Sequence, residues 1–526
     1  MLALNEKNDI ISKYLIMKKI LFTLSLVLFA VVSVAQERPK LVVGIAVDQM
    51  RWDYLYRFYD EYTNGGFRRM LDEGFTCENC QINYIPSVTA IGHTSIFTGS
   101  VPSIHGIAGN NFMIDGQMVY CAEDKTASTV GSDTKAGQMS PRNMLATTIG
   151  DELKTATNWQ AKVIGVSFKD RAAILPAGHS ADAAYWFDKK ALCFISSTYY
   201  MQELPKWVKN YNDRISGDIK QLAKMGKDTP VIDLIQYEPY GNQITVGLAK
   251  AAIKNERLGQ GKTTDMLTLS FSCTDITGHR YGTHHEKTHA QYIELDKQLA
   301  DFFRFLDDNV GKGKYLVFLT ADHGAANGIL QNQAHKIPSD GFFLDKEEPA
   351  LNAYLREHFN MDSALPDENF NLTKRIMDYK VVLDHENIRK WGIDEDKVKK
   401  AIIDYFKKHP AVNYCFDLER INDASVPTLI REKAINGYNH ARSGDIQIIL
   451  KPGYYGVWKQ IDNGTTHGCW NPYDCHIPFL LMGWHVEHGS TAAEVHITDI
   501  APTICNLIHI QMPSGCIGTP VEQVND

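Results

Sequence analysis

The sequence predicts an α/β fold in which a doubly wound, mostly parallel central sheet is flanked by helices on both faces. Short continuous apolar runs alternate with amphipathic stretches, a pattern typical of parallel strands buried on both faces. The chain has 526 residues, 44% of them hydrophobic. It therefore exceeds the roughly 250–300 residues at which a single core stops growing. One large core with an inserted second unit is expected.

Five apolar runs are predicted to be buried parallel strands of the central sheet. They cover residues 41–47, 163–168, 266–271, 315–320 and 477–482. Residues 292–307 are predicted to form a helix, because apolar residues recur there at three- and four-residue intervals on one face. These residues are Leu295, Leu299, Phe302 and Leu306.

The character of the chain changes between Leu330 and Gly444, where charges are dense and apolar runs are short. We expect residues 331–443 to form an inserted cap and residues 36–330 and 444–526 to form the core. The core is predicted to resume with a strand at residues 446–450. A second insertion is predicted over residues 191–261.

The first 35 residues have the pattern of an export signal. Lys18 and Lys19 precede an apolar run at residues 20–34, which is shorter than the about 20 apolar residues of a membrane-spanning helix. Small residues lead up to Ala35, after which we expect cleavage, and Met17 is an alternative start. The signal predicts a periplasmic location and no stable membrane span. Secretion, cell-surface display and an uncleaved anchor are the alternatives.

The overall charge and the cysteines restrict the class of protein. A net charge of −8 argues against binding to duplex nucleic acid or to anionic membranes, which requires a basic surface. A small anionic ligand remains compatible, because a site can be locally positive. After export the ten cysteines could form disulfides, with Cys469/Cys475 and Cys505/Cys516 as the close pairs.

Acidic, imidazole and hydroxyl side chains stand at the ends of predicted strands or in glycine-rich turns. Open α/β sheets bind ligands beyond the carboxyl ends of their strands, so we expect these side chains to meet there. Three aspartates and three histidines suffice for two metal sites with about three protein ligands each. The set with its hydroxyl is Asp48, Thr89, Asp275, His279, Asp322, His323 and His467.

Local spacing supports individual members of this set, and each also has a structural alternative. Asp275 and His279 are four residues apart, which places both on one side of a helical turn. Thr89 precedes a predicted helix, whose N-terminus favours anions. Its hydroxyl is inert at neutral pH unless a base or a metal activates it. Helix capping is the alternative role for Thr89 and for Asp48.

Lys169 and Arg171 close the predicted strand at residues 163–168. Because they are two residues apart in extended chain, they share a face. Arg171 with its planar fork and Lys169 as a point charge could bind the oxygens of a terminal phosphate. An exposed pair of charges beside Asp170 is the alternative.

The dispersed set, together with Pro86-Ser-Val-Thr-Ala, Lys169-x-Arg171 and Thr466-His467-Gly468, resembles the alkaline phosphatase superfamily over nearly the whole mature chain. It is similar to the PafA-type, phosphate-irrepressible alkaline phosphatases with a threonine nucleophile. The resemblance implies two Zn²⁺ ions. Asp275, His279 and His467 would hold the first ion, and Asp48, Asp322 and His323 the second, with the Thr89 oxygen nearby. Asn110 would bind a phosphate oxygen, and Lys169 with Arg171 would mark monoester preference.

These inferences predict an exported zinc-dependent phosphomonoesterase that acts on small-molecule phosphate monoesters through a phosphothreonine intermediate. A phosphodiesterase or nucleotide pyrophosphatase of the same superfamily is the nearest alternative. A non-catalytic binder of phosphorylated ligands is another. The sulfatase signature is absent around Thr89, which argues against a sulfatase. The oligomeric state does not follow from the sequence.

Overall fold

The computed structural model describes residues 13–20, 37–226, 228–361 and 370–524. The chain divides into two compact units, Met1–Arg38 and Pro39–Asp526. In the first unit, residues 13–20 form helix α1, in which the ammonium group of Lys18 lies over the Tyr14 ring. Beyond Ile20, the predicted apolar run of the signal and its cleavage point lie outside the described residues. Among the described helices, none combines the length and the apolar character needed to cross a bilayer.

The second unit contains eighteen strands among its described residues. In chain order they are β1 (Leu41–Val47), β2 (Phe75–Gln81), β3 (Asn111–Ile114), β4 (Gln117–Tyr120), β5 (Thr129–Val130), β6 (Val163–Ser167), β7 (Ala183–Asp188), β8 (Cys193–Ser197), β9 (Asp265–Phe271), β10 (Tyr315–Thr320), β11 (Asp340–Phe343), β12 (Thr373–Met377), β13 (Lys380–Leu383), β14 (Val412–Asp417), β15 (Ile446–Leu450), β16 (Tyr454–Val457), β17 (His476–Gly483) and β18 (Gly489–His496).

Helices flank the strands. In chain order they are α2 (Tyr54–Arg57), α3 (Phe67–Glu73), α4 (Thr89–Thr98), α5 (Pro102–His105), α6 (Ile149–Ala156), α7 (Asp170–Ala177), α8 (Lys206–Met225), α9 (Val231–Gln236), α10 (Tyr240–Glu256), α11 (Cys273–Tyr281), α12 (Glu286–Leu306), α13 (Ile329–Ala334), α14 (Leu344–His358), α15 (His385–Trp391), α16 (Glu395–Phe406), α17 (Thr428–Gly437), α18 (Pro472–Cys475) and α19 (Ile500–Leu507).

The main sheet has ten strands in the order β18-β2-β17-β10-β1-β9-β6-β7-β8-β5. The five neighbours β10, β1, β9, β6 and β7 are parallel, which confirms the predicted fold class. The run at residues 477–482 was expected to be parallel, but β17 is antiparallel to both β10 and β2. The prediction of its direction is wrong because a continuous apolar run reports burial on both faces and carries no information on strand direction.

A smaller sheet has the order β12-β13-β15-β14. Residues 446–450 were expected to return to the core, yet β15 pairs with β13 and β14 of this smaller sheet. The predicted boundary at residue 443 therefore falls within it, since an apolar strand does not show which sheet it joins. Residues Pro39–Asp526 form one compact unit, so the cap as a separate subdomain remains a prediction. All ten cysteines are described, and none forms a disulfide.

Candidate metal centre

Four adjacent parallel strands deliver the predicted site residues to one edge of the main sheet. Asp48 directly follows β1, and Asp322 follows β10 after one residue. Asp275 lies in the first turn of α11, shortly after β9, while Lys169 lies between β6 and α7. Neighbouring parallel strands end on the same edge, so these residues converge although up to 274 positions separate them in the sequence, from Asp48 to Asp322.

The first group of candidate ligands is Asp275, His279 and His467, whose ligand atoms all lie within 4.8 Å of one another. Asp275 Oδ1 is 3.0 Å from His279 Nε2 and 3.7 Å from His467 Nε2. Asp275 is buried, but the His279 side chain is 38% exposed, so this group opens toward solvent. Burial opposes both charges. The contact between Asp275 and His279 nevertheless lowers the pKa of Asp275 well below its usual range and raises the pKa of His279.

The second group is Asp48, Asp322 and His323, all fully buried and again within 4.8 Å of one another. His323 Nε2 is 3.3 Å from Asp322 Oδ2 and 3.6 Å from Asp48 Oδ1. Both of these carboxylate oxygens lack a hydrogen-bond partner. Buried polar atoms are normally bonded, and a divalent cation between these oxygens would satisfy them. The residues of this group therefore fit a metal ion.

The histidine rings are oriented for metal binding. In each of the three, Nδ1 contacts a backbone carbonyl, which leaves Nε2 directed toward the carboxylates. The contacts are His279 to Thr465 at 2.9 Å, His323 to Gly324 at 2.9 Å and His467 to Ser87 at 2.7 Å. A carbonyl on one nitrogen fixes the proton there and leaves the other nitrogen free as a ligand. Burial lowers the pKa of His323 and His467, which favours the neutral form that binds metal.

The two groups adjoin each other. The His323 and His467 rings, one from each group, are stacked with centroids 3.5 Å apart. Lys169 also lies between the groups, with Nζ 2.6 Å from Asp48 Oδ2 and 2.6 Å from Asp275 Oδ2. Burial disfavours the charge of Lys169, but Asp275 and Asp48 outweigh burial and raise its pKa. Lys169 is thus a buried cation of the centre, and the alternative of an exposed pair is wrong.

Thr89 is the hydroxyl residue of the centre. It is the first residue of α4, is 1% exposed, and places Oγ1 3.3 Å from His323 Nε2. Val88 occupies the N-cap position of α4 and no side chain caps the helix, so Thr89 does not have the alternative capping role. Next to it, Asn110 Oδ1 accepts the Ala90 N–H at 3.0 Å. This bond identifies the side-chain atom next to Ala90 as the amide oxygen. The Nδ2 group of Asn110 therefore remains available to donate to another partner.

Arg171 stands at the border of the centre. Its Nη1 lies 3.1 Å from the Tyr120 hydroxyl and 4.0 Å from Asp170, while its buried Nε has no partner. Burial opposes its charge, yet Tyr120, Asp170 and, more weakly, Asp48 raise the pKa of Arg171. Arg171 is therefore a charged group with a donor still to be satisfied.

Three residues near the ligands were not predicted from the sequence. Gln49 donates to a carboxylate in each group. His93 Nδ1 is 3.0 Å from the Thr89 carbonyl and 3.2 Å from Asp322 Oδ2. Tyr120 holds Arg171. Only His93 carried a sequence signal, because it lies four residues after Thr89 on the same face of a helix.

Comparison with known proteins agrees with this geometry. The family model of type I phosphodiesterase / nucleotide pyrophosphatase matches residues 42–470. Alkaline phosphatase PafA of Elizabethkingia meningoseptica is 44% identical, over 93% of this chain and 95% of that protein. A protein of Myroides odoratus named calcium-transporting ATPase is 43% identical, with the same two coverages. The crystal structure of wild-type alkaline phosphatase PafA matches with a TM-score of 0.87 at 44% identity, covering 94% of this chain and 100% of that one. The chain therefore belongs to the type I phosphodiesterase / nucleotide pyrophosphatase family of the alkaline phosphatase superfamily, and it is a relative of PafA.

Proposed function

We propose that this protein is an alkaline phosphatase, a metal-dependent phosphomonoesterase that uses Thr89 as its nucleophile. The observation that carries the proposal is the buried hydroxyl of Thr89, 3.3 Å from a ligand histidine where two acidic and imidazole groups adjoin. Such an arrangement suits in-line displacement at phosphorus. The names of PafA and of its solved structure support the same activity.

The proposed cofactors are two Zn²⁺ ions. Asp275, His279 and His467 would hold one ion, and Asp48, Asp322 and His323 the other. When bound, such ions would lower the pKa of a coordinated hydroxyl and stabilise negative charge on phosphoryl oxygens. The two buried carboxylate oxygens that form no hydrogen bond and the three oriented histidines support this assignment.

The covalent steps are assigned to Thr89. Its Oγ1 loses a proton and attacks phosphorus, the bond to the ester oxygen breaks, and that oxygen takes up a proton from water and departs as the alcohol. This leaves phosphothreonine. Water then attacks phosphorus, which releases phosphate and regenerates the hydroxyl. Burial of Thr89 at the N-terminus of α4 keeps bulk water from its oxygen, and the helix amides favour the anion.

Three side chains are assigned to the phosphoryl oxygens. Asn110 would donate its Nδ2 group, because its Oδ1 is already bonded to Ala90 N. Arg171 would use its unpaired Nε, and Lys169 its ammonium group. Two cations suit the dianionic phosphate of a monoester, whereas a diester has one charge and a second bulky group. This difference favours monoesters over the diesters after which the matching family is named.

The name of the Myroides relative describes ATP hydrolysis coupled to calcium transport. ATP ends in a phosphoryl group that carries about two negative charges near pH 7, like other phosphates of this kind. Removal of that group breaks a phosphoanhydride and not an ester, but it transfers a dianionic phosphoryl group like that of the monoesters proposed as substrates. Transport is not part of the proposal.

We also propose that residues 1–35 direct export and that the mature protein acts in the periplasm or outside the cell. The pair Lys18-Lys19 followed by an apolar run and small residues supports this proposal. Sequencing the N-terminus of protein recovered from the producing cells tests it. A mature N-terminus near residue 36 is expected, and an intact N-terminus in the cytoplasmic fraction would contradict it.

The catalytic proposal is tested with Thr89→Ala and, as its matched control, Thr89→Ser. Thr89→Ala should keep both metal equivalents and lose aryl phosphate hydrolysis by roughly 10³-fold or more, because no hydroxyl remains to attack. Thr89→Ser should keep measurable turnover. An aryl diester assayed in parallel separates the two ester classes. Near-normal turnover by Thr89→Ala would remove Thr89 from the role of nucleophile, and preferential diester hydrolysis would overturn monoester specificity.

A further inference from the structure

Like the charged Lys169, the neutral residue Gln49 hydrogen-bonds to an aspartate in each metal group. We propose that Gln49 is a positioning residue that fixes Asp275 against the second group and thereby sets the metal affinity of the first group. The inference rests on the proposed function, since it presumes that both groups hold metal.

The hydrogen bonds of Gln49 reach in two directions. Its backbone N–H donates to Asp322 Oδ1 at 3.1 Å, and its side-chain Nε2 donates to Asp275 Oδ1 at 2.6 Å. Gln49 is 3% exposed, so water does not compete for these bonds. The bonded oxygen of Asp275 is the one that faces His279 and His467, while the other oxygen contacts Lys169. The amide therefore holds the rotation of the Asp275 carboxylate.

The backbone of Gln49 is held in an unusual conformation for this purpose. Its φ of +65° lies in the left-handed region, which residues with a Cβ rarely adopt. Such conformations persist only where surrounding contacts enforce them, and they are common at functional sites. The turn directly follows Asp48, a ligand of the second group. One short segment therefore supplies a ligand to the second group and a donor to each group.

Packing around Gln49 shows that α11 approaches it closely. A Cβ added to Gly278 would lie 1.9 Å from Gln49 Oε1. Gly278 stands beside His279 on the helix that also carries Asp275. The absence of a side chain at position 278 thus lets the helix bring its two ligands next to the Gln49 amide.

Replacing the side-chain amide has an asymmetric consequence. In Gln49→Met the backbone N–H still bonds to Asp322, so the second group keeps its geometry. Asp275 loses one of the contacts that fix the rotation of its carboxylate and keeps those to Lys169 and His279. Loss of such an outer partner of a metal ligand typically weakens metal binding by about 10–100-fold. We expect the loss in the first group only.

The experiment uses the full chain loaded with Zn²⁺ and titrated with a chelator, with the metal that remains bound measured by atomic emission. In wild type, two equivalents per chain are expected. In Gln49→Met, one of them should leave at a chelator concentration about 10–100-fold lower, while the other leaves as in wild type. Gln298→Met is the matched control, because among the described residues Gln298 bonds only to the Pro239 carbonyl, at 3.2 Å, and to no residue of either metal group.

A second variant perturbs the same contact with Gln49 intact. Gly278→Ala should displace the Gln49 side chain and also release one equivalent early. If both changes act through one contact, the double variant should be no worse than the more affected single variant. Additive losses would assign the effect of Gly278→Ala to the helix itself and overturn the packing argument.

Other outcomes also decide the inference. Equal early release of both equivalents from Gln49→Met, or release as in wild type, would overturn it. In either case wild type with two equivalents and aryl phosphate turnover leaves the proposed function intact. Wild type that retains fewer than two equivalents, or that binds two and hydrolyses no phosphate ester, contradicts the proposed function and this inference with it.

Discussion

Lys169 joins the two metal groups electrostatically, which makes Lys169→Met an informative substitution. Methionine keeps an unbranched side chain of similar length and removes the charge. In wild type, one ammonium lies 2.6 Å from a carboxylate oxygen of Asp48 and 2.6 Å from one of Asp275. Asp322 is a third buried carboxylate nearby. Without metal, the Lys169 ammonium is the fixed positive charge that contacts two of these three carboxylates, Asp48 and Asp275.

The expected effect differs between the metal-free and the loaded protein. Removing one partner of a buried ion pair costs about 3–5 kcal/mol, because the remaining charge is left uncompensated. In the loaded protein, two divalent ions would offset the carboxylates, so we expect a cost lower by at least ~2 kcal/mol. The four states form a thermodynamic cycle. The same ~2 kcal/mol should therefore appear as metal binding that is about 30-fold tighter in Lys169→Met.

The difference in stability between metal-free wild type and metal-free Lys169→Met should also depend on pH. Burial, and next the charge of Asp322, raise the pKa of Asp48 well above its ordinary value. The stability contributed by its protonated form is complete below the ordinary pKa and is lost as the pH rises through the raised one. Lys169 lowers the pKa of Asp48, so its removal should destabilise the metal-free protein more at pH 9 than at pH 5.

Denaturant unfolding with and without chelator measures the stability of the metal-free and of the loaded protein. Chelator competition then measures the metal affinity. Lys154→Met is a poor control because Lys154 is itself a buried ion-pair residue, bonded to Asp182. The exposed Lys209 forms an ion pair with the exposed Glu203 and with no other described residue, so Lys209→Met serves better. Equal destabilisation of the metal-free and loaded protein, or weaker metal binding by Lys169→Met, would refute the reasoning.

Three further predictions concern the phosphate site, the smaller sheet and helix α4. Tyr120→Phe removes the hydroxyl that holds Arg171 Nη1 at 3.1 Å. This substitution should raise KM for an aryl monoester severalfold and change KM for an aryl diester little. If steady-state kinetics show equal changes of KM for the two substrates, the assigned role of Arg171 is wrong. Burial lowers the pKa of Lys380 from 10.5 to about 8, so between these pH values the unfolded chain binds a proton that the folded chain does not. Wild type should therefore gain about 3 kcal/mol of stability relative to Lys380→Met between pH 7 and pH 11, at ~1.4 kcal/mol per pKa unit. If denaturant unfolding shows the same difference in stability between wild type and Lys380→Met across that pH range, the prediction is wrong. A Cβ at Gly92 would lie 2.2 Å from the backbone oxygen of Asp322. Gly92→Ala should then cost about 1–3 kcal/mol and reduce bound Zn²⁺, and a thermal melt and metal content like those of wild type would exclude the predicted clash.

Much of the centre could be predicted because the relevant signals are local. Residues 41–47 and 315–320 were located to the residue, since strands buried on both faces appear as uninterrupted apolar runs. Polar ligands directly after such runs indicate the carboxyl edge of the sheet. The pair Asp275 and His279 also follows from the helical period alone.

Other features depend on contacts between distant parts of the chain. The direction of β17, the placement of β15 in the smaller sheet, and the absence of bonds between the ten cysteines belong to this class. Periodicity reports the secondary structure of a segment and which of its faces is buried, whereas these features depend on which segments become neighbours.

The sequence by itself determined the fold class and the residue types that gather at the sheet edge, because burial and local spacing are properties of short segments. Tertiary structure alone decided how those residues are held. Gln49 reaches Asp275 across 226 positions, and Lys169 reaches Asp48 across 121. Hydrogen bonds and ion pairs act over about 3 Å in space, and no pattern along the chain records which distant residues come within that distance.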